Sequence, residues 1–323
     1  MMARFLPILA VAAALVLPLA TSNTYFHHLL VLWMLYSLLA LSLNIIVGYI
    51  GELSFGHAAF FGIGAYTAAI LGMNFGFPGF PGLLMAGIVA GAFGFVIGYV
   101  ALRIEGPQFV ILTLGFGSII FTTTNYWVDL TRGPMGISNI APLGVGAGFE
   151  LSSALDYYYL SLLLVVAFAY ACHALMLSRT GRAFIAVREN AQLAASLGVD
   201  VFRTKLLAFV VATAVAGVAG AIFAHYLTVI TPEVMSLNYM VAILIMVIVG
   251  GRGTIAGPIL GALIYVGLLE LLRATGALRM VIFAALLTVS VIFLPGGLVS
   301  LWRRFADRTT ARTARQAQME AGE

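Results

Sequence analysis

The sequence predicts an all-α integral membrane protein with about ten transmembrane helices. Of its 323 residues, 62% are hydrophobic and 9% are charged, and the mean hydropathy is +1.08. A helix that crosses a bilayer needs roughly 20 apolar residues in succession, and runs near that length recur along the whole chain. The 16 Lys and Arg residues lie between these runs, at their ends or in the C-terminal tail, and none lies in the interior of a run. This pattern excludes an ordinary soluble domain.

Ten apolar runs define the predicted spans, and several are short or rich in glycine, as in helices that pack within a bundle. They cover residues 5–22, 27–47, 57–73, 82–102, 108–128, 156–177, 205–225, 236–250, 255–271 and 279–298. Glycine pairs four residues apart predict tight helix packing at 87/91, 94/98 and 257/261.

We divide the chain into a first span within residues 1–26, a transmembrane domain over 27–300 and a disordered cytoplasmic tail over 301–323. The first span could instead be a cleaved signal peptide, because Arg4 precedes an apolar run that ends at Ala20. We expect it to be retained, since the run is long for a signal peptide and no pair of small residues marks a cleavage site before Thr21.

The positive charges predict a cytoplasmic location for both termini. With the N-terminus inside, the outer loops carry Arg132, Arg273 and Arg279, and all the other Lys and Arg residues lie inside. The opposite orientation would reverse this bias, against the positive-inside rule.

The segment 179–205 is the longest polar interruption that has a helical pattern. It holds five of the 16 basic residues, including the only lysine, Lys205. Such charges are too costly at mid-membrane, so we place the segment on the cytoplasmic face. An apolar face recurs at helical spacing through Phe184, Val187, Ala191, Ala194 and Leu197, while Asn190 is a candidate cap and Gly198 a candidate stop. The segment is either a docking element for a soluble partner or a solvated loop.

A glycine-broken hairpin, GYIGELSFGHAAFFGIGAY over 48–66, joins the second and third predicted spans. We expect Ser54 to cap the following helix, with Glu52 and His57 at the cytoplasmic boundary. An ionisable residue at membrane depth is a functional candidate. A hydrated carboxylate that only marks the boundary is an equally good interpretation of Glu52.

The fifth span carries one polar face. Gly115, Ser118, Thr122 and Asn125 follow at spacings of three, four and three and therefore share a side of the helix. Such a face either lines a water-filled path or forms hydrogen bonds to a neighbouring helix, and spacing alone leaves both open.

Several kinds of chemistry are not indicated. The chain has no GxxxxGK[ST] phosphate loop, its five histidines show no metal-ligand spacing, and its single cysteine, Cys172, allows no disulfide. Nor does it carry a basic stripe interleaved with aromatic residues of the kind that binds nucleic acid. We therefore expect a protein that is not an enzyme, needs no cofactor and has the lipid bilayer rather than nucleic acid as a partner.

Four ordered motifs resemble one known family, the LivM-type permease subunits of branched-chain amino acid ABC importers. They are GYIGELSFGHAAFFGIGAYTAAIL, TLGFGSI followed by TRGPMGI, RENAQLAASLGVDVFRTKLLAF and VGGRGTIAGPILGALI. Two positions depart from the family pattern, with Glu52 in place of glutamine and Ser118 in place of glutamate after TLGFG.

The resemblance implies a ten-span type II importer permease in the bacterial inner membrane. It implies four partner chains, namely a second homologous permease, two cytosolic ATPases and a periplasmic substrate-binding protein. Segment 179–205 then resembles the loop that couples to an ATPase, with Arg182, Arg188, Glu189, Ala194, Leu197 and Gly198 as its candidate residues.

Other functions stay open from the sequence. The same type of transporter could carry urea, short amides or other amino acids. A stand-alone secondary transporter would need a charged residue at mid-span for ion coupling, and the predicted spans place none there. An intramembrane enzyme would need clustered catalytic groups, which the spans also lack.

Overall fold

The chain forms a bundle of helices that are long enough to cross a membrane. The computed structural model describes residues 2–21, 23–76, 79–104, 106–144 and 151–273, and positions 276, 278, 281, 282, 285, 288 and 296–299. Its helices are α1 (Met2–Val16), α2 (Thr24–Asn44), α3 (His57–Phe75), α4 (Gly79–Ala101), α5 (Pro107–Tyr126), α6 (Val128–Thr131), α7 (Ala154–Leu177), α8 (Arg179–Glu189), α9 (Ala191–Ser196), α10 (Val201–Leu227), α11 (Leu237–Gly250) and α12 (Ala256–Leu271).

Six of these helices have the length and apolar composition of membrane spans, namely α2 with its extension to Ile50, α3, α4, α5, α7 and α10. Three shorter apolar helices, Leu9–Ala20, α11 and α12, coincide with further predicted runs. The tenth run, 279–298, lies largely outside the described residues, and the predicted tail 301–323 lies wholly outside them. A multi-span helical fold is thus confirmed, while the count of ten spans stays a prediction.

Helix α2 is the centre of the bundle. It continues as a π-helix over Ile45–Ile50, so the rod is 27 residues long, about 40 Å at 1.5 Å per residue. In the most apolar 18-residue stretch of this rod, 83% of the residues are buried, whereas the corresponding share is 22% in α5 and in α7. Helices α7, α10, α11 and α12 pack around it, and α3 and α4 pack against α10. Helix α5 is therefore at the edge, with much of its surface free to meet lipid or another chain.

Glycines set the closest helix contacts. A Cβ on Gly64 of α3 would lie 2.1 Å from the carbonyl oxygen of Gly217 in α10, so position 64 has no room for a larger residue at this separation of the helices. The predicted tight packing of α4 is confirmed, because Gly87, Gly91, Gly94 and Gly98 all face α10. The 257/261 pair is confirmed as well: both glycines pack against backbone carbonyl groups, of Gly251 and Met246, at the end of α11.

A small antiparallel sheet closes the end of the bundle where α10 ends. Strand β1 (Ile137–Ser138) pairs with β2 (Val229–Ile230), in the register Ile137 to Ile230. The chain then runs through a 3₁₀ turn, Pro232–Met235, that packs on α3 and α5 before α11 begins. This turn brings the start of α11 alongside the exposed helix α5.

Candidate functional site

Two glycine-broken hairpins and the polar segment meet at one end of the bundle. We call this region the loop junction; it consists of the π-helix Ile45–Ile50, the loop 51–56, helix α8, the first turn of α10 and the loop 251–255. Asn44 joins the two hairpins, because its Nδ2 donates to the Thr254 carbonyl (2.9 Å) and its Oδ1 accepts from the Gly253 N–H (2.8 Å). Asn44 is 1% exposed, and both ends of its amide are thus satisfied.

Arg188 ties α8 to the same hairpins. One guanidinium nitrogen, Nη1, donates to the Gly48 carbonyl at 2.8 Å, and Nε and Nη2 donate to the Glu189 carboxylate at 3.2 and 2.6 Å. Gly51 has a φ of +85° and packs on the Arg188 side chain, where a Cβ would lie 2.8 Å from Cγ. The sequence predicted Arg188 as a contact for a partner; the structure gives it an internal contact in addition to an exposed side.

Glu52 forms an ion pair with Lys205 at the start of α10. The Lys205 ammonium lies 2.7 Å from Glu52 Oε1, and the side chains are 6% and 15% exposed respectively. The interpretation of Glu52 as a hydrated boundary marker is therefore wrong, since its carboxylate is largely buried and paired. Lys205 was not among the predicted site residues, although its being the only lysine of the chain was a signal.

Ser54 does not cap α3, contrary to the prediction. The N-cap position is held by Gly56, which offers no side-chain bond, and the buried Ser54 hydroxyl has no hydrogen-bond partner among the described residues. His57 lies in the first turn of α3 and is fully buried within the bundle, and its place at the cytoplasmic boundary stays a prediction. Its Nε2 meets the Ser42 hydroxyl at 2.8 Å, so it links α3 to α2.

The polar segment folds as two helices joined at Asn190. The Asn190 side chain accepts from the Leu193 N–H and caps α9, while Gly198 has a φ of +88° just after α9 ends. Both features were predicted. The predicted apolar face is buried only in part: Phe184, Val187 and Ala194 are at most 4% exposed and Ala191 is half-buried. Contrary to the prediction, Leu197 is 77% exposed, and the neighbouring Leu193 is 59% exposed.

The polar face of α5 points out of the bundle at its first three positions. Gly115, Ser118 and Thr122 are exposed, and Asn125 is half-buried. Thr113 and Thr124 donate to carbonyl groups of their own helix. Among the described residues, the Ser118 and Thr122 hydroxyls form no side-chain hydrogen bond, so packing against the described helices does not explain them.

A cavity of about 180 Å³ opens beside this face. It lies between α3, α5, the Pro232–Met235 turn and the first turn of α11. Its walls are mostly apolar and include Phe55, Ala59, Leu114, Phe121, Met235 and Met240, with the hydroxyls of Ser118 and Ser236 as polar groups. Sequence periodicity assigned Ser118 to a face but gave no sign that α11 would complete a pocket there.

Over the residues with described positions, no group of three or more His, Cys, Asp or Glu side chains comes together to hold an ion.

Comparison with known proteins gives a consistent picture. The family model described as branched-chain amino acid transport system / permease component matches residues 25–291. The chain is 34% identical to the LivM permease protein of Salmonella typhimurium over 84% of its length and 69% of the relative, and 34% identical to LivM of Escherichia coli K12 with the same coverage. It is 28% identical to the LivH permease protein of Escherichia coli K12 over 82% of its length and 91% of the relative. No solved structure matches the chain at a significant level.

Proposed function

This chain belongs to the branched-chain amino acid transport permease family, and on that premise we propose that it is one permease subunit of an ATP-driven importer for branched-chain amino acids. A second, homologous permease completes the path, two cytosolic ATPases drive it, and a periplasmic binding protein delivers the substrate. The subunit lies in the bacterial inner membrane with both termini in the cytoplasm, and it has no nucleotide site of its own.

The observation that carries the path proposal is the outward direction of the α5 polar face. Ser118 and Thr122 present exposed hydroxyl groups on helix α5. In the most apolar stretch of this helix, only 22% of the residues are buried within the subunit. A hydroxyl without a partner costs about 1–3 kcal/mol in a protein interior and more in hydrocarbon. Contact with lipid is therefore unfavourable, whereas water between two permease subunits satisfies both groups.

A path of this kind suits a zwitterionic substrate. Neutral hydroxyl groups replace part of the hydration shell of an ammonium and a carboxylate, and they do not hold either charge too tightly for release. The relatives are named as high-affinity branched-chain amino acid transport permeases, and we extend that substrate class to this chain. Delivery by a binding protein explains how a path without fixed charges can still be selective.

Coupling to the ATPases is assigned to α8 and α9. The element includes Arg182, Arg188, Glu189 and Gly198. The exposed Leu197 side chain is its apolar contact surface. Ala194, three residues before Leu197 and within α9, is 2% exposed, so its side chain is directed into the subunit. The two positions therefore provide a matched pair for testing.

Leu197→Asp places a charge on the surface proposed to meet the ATPase. The permease should insert and unfold as the unmodified chain does, while ATP hydrolysis stimulated by the binding protein is lost. Ala194→Asp buries a carboxylate and should instead lower the stability of the permease itself. Full transport by the Leu197→Asp complex would contradict the coupling role.

The whole proposal is tested by reconstituting the chain with its three kinds of partner in liposomes and measuring uptake of L-leucine. Uptake should require ATP, both permeases and the binding protein. Leucine uptake by this chain alone, driven by an ion gradient, would show a secondary transporter and refute the proposal.

A further inference from the structure

The cavity beside α5 has a volume that matches a short hydrocarbon group. It measures about 180 Å³, and an apolar protein cavity of about 150 Å³ already accommodates benzene. Phe55, Leu114 and Phe121 form much of the wall, and Ala59 leaves the space open because its side chain is a single methyl group. A four-carbon aliphatic side chain therefore fits, whereas a charged head group has few partners here.

Two methionines make the wall adaptable. Met235 and Met240 line the cavity, and Met235 Sδ also accepts from the Thr124 hydroxyl at 3.6 Å. Methionine side chains are unbranched and flexible, so they adjust to ligands of differing shape. This suits a set of related aliphatic groups better than one rigid ligand.

The position of the cavity connects it with the polar face of α5. The wall includes Leu114 to Phe121, the middle of the 20-residue helix α5, and Ser118 belongs to both the wall and the polar face. Helix α11 has 14 residues, about 21 Å, and is shorter than the roughly 30 Å hydrocarbon layer. Its first turn, at Ser236 and Leu237, reaches the cavity at the level of mid-α5.

We propose that this cavity is a subsite that receives the aliphatic side chain of the amino acid during its passage. The Ser118 and Ser236 hydroxyls lie at the same cavity and contact the hydrated, charged end of the amino acid. The inference rests on the proposed function and adds to it a specific place where this subunit distinguishes substrates.

Filling the cavity tests the subsite. Ala59→Leu adds three carbons to the wall, and Gly72→Leu, on the same helix but with no atom near its Cβ, is the control. With saturating binding protein, the ratio of L-leucine to L-valine uptake should fall about tenfold in Ala59→Leu, since one methylene in an apolar pocket is worth at least that factor. The ratio should be unchanged in Gly72→Leu. An unchanged ratio in an active Ala59→Leu complex overturns the subsite while leaving the proposed function intact.

A second measurement applies even where Ala59→Leu does not assemble. The chain has one cysteine, Cys172, and it is buried, so an introduced cysteine is labelled against a low background. In the assembled complex, L-leucine should slow thiol modification of Ser118→Cys and leave Ile111→Cys, two turns away on the same face, unchanged. Equal rates with and without leucine overturn the proposal. If the unmodified complex takes up no amino acid, the proposed function itself fails.

Discussion

Breaking the Glu52–Lys205 ion pair should destabilise the junction between α10 and the first hairpin. At the observed 2.7 Å, two unit charges attract by about 6 kcal/mol at an effective dielectric constant of about 20. Desolvation of both groups opposes this attraction. Removing one partner of a buried pair nevertheless costs about 3–5 kcal/mol, because the other charge keeps its desolvation cost. Since Glu52 keeps 15% of its side-chain exposure, we expect about 3 kcal/mol for either Glu52→Gln or Lys205→Met.

The assay is a double-mutant cycle on the purified permease, with the free energy of unfolding measured by titration from mild detergent into SDS. The double variant Glu52→Gln/Lys205→Met should lose far less than the two single losses together, because it leaves no uncompensated charge. Transport by the reconstituted complex should follow the same order. Losses that add to within about 0.5 kcal/mol would show that the two groups are independent and would refute the reasoning.

Three further outcomes are expected. In intact cells, a cysteine at Ser138 should react with an impermeant thiol reagent and one at Ser196 should not; labelling of Ser196 would reverse the orientation. Gly64→Ala should cost about 1–3 kcal/mol by forcing α3 away from the α10 backbone, whereas Gly72→Ala, with open space at its Cβ, should be tolerated; equal stability of the two variants would argue against the close contact. Thr122→Leu should lower transport per assembled complex at unchanged thermal stability, and loss of both together would favour a packing role.

Local chemistry made part of the coupling element predictable. Asn190 caps α9 and Gly198 takes a left-handed conformation, both as the residue types indicated, because caps and stops depend on a few neighbouring backbone groups. The exposure of Leu197 was not predictable in the same way. Asn190 has an extended backbone, so the helical phase is interrupted there and a face counted through α8 does not continue through α9.

The contacts of the loop junction required the tertiary structure. Glu52 and Lys205 are 153 positions apart, and Arg188 and Gly48 are 140 apart, so neither contact leaves a periodic signal. Ser54 shows the converse case. Serine is a favoured N-cap residue, but α3 begins at His57, two residues beyond the start that a Ser54 cap would require. Propensity identifies candidates of this kind, and packing decides among them.

The π-helix at the end of α2 makes the Glu52–Lys205 ion pair depend on the number of residues in this turn. Over Ile45–Ile50 the backbone carries a wider turn than an α-helix, and the Gly51 N–H bonds to the Ile46 carbonyl at 3.0 Å, five residues back. All six residues of the turn are buried, so a deletion that restores α-helical winding removes a packed residue or, at Gly48, the carbonyl that accepts from Arg188. It also shortens the connection from α2 to Glu52 by one residue and so displaces Glu52 from Lys205. Insertions and deletions in this turn should therefore be tolerated less well than substitutions.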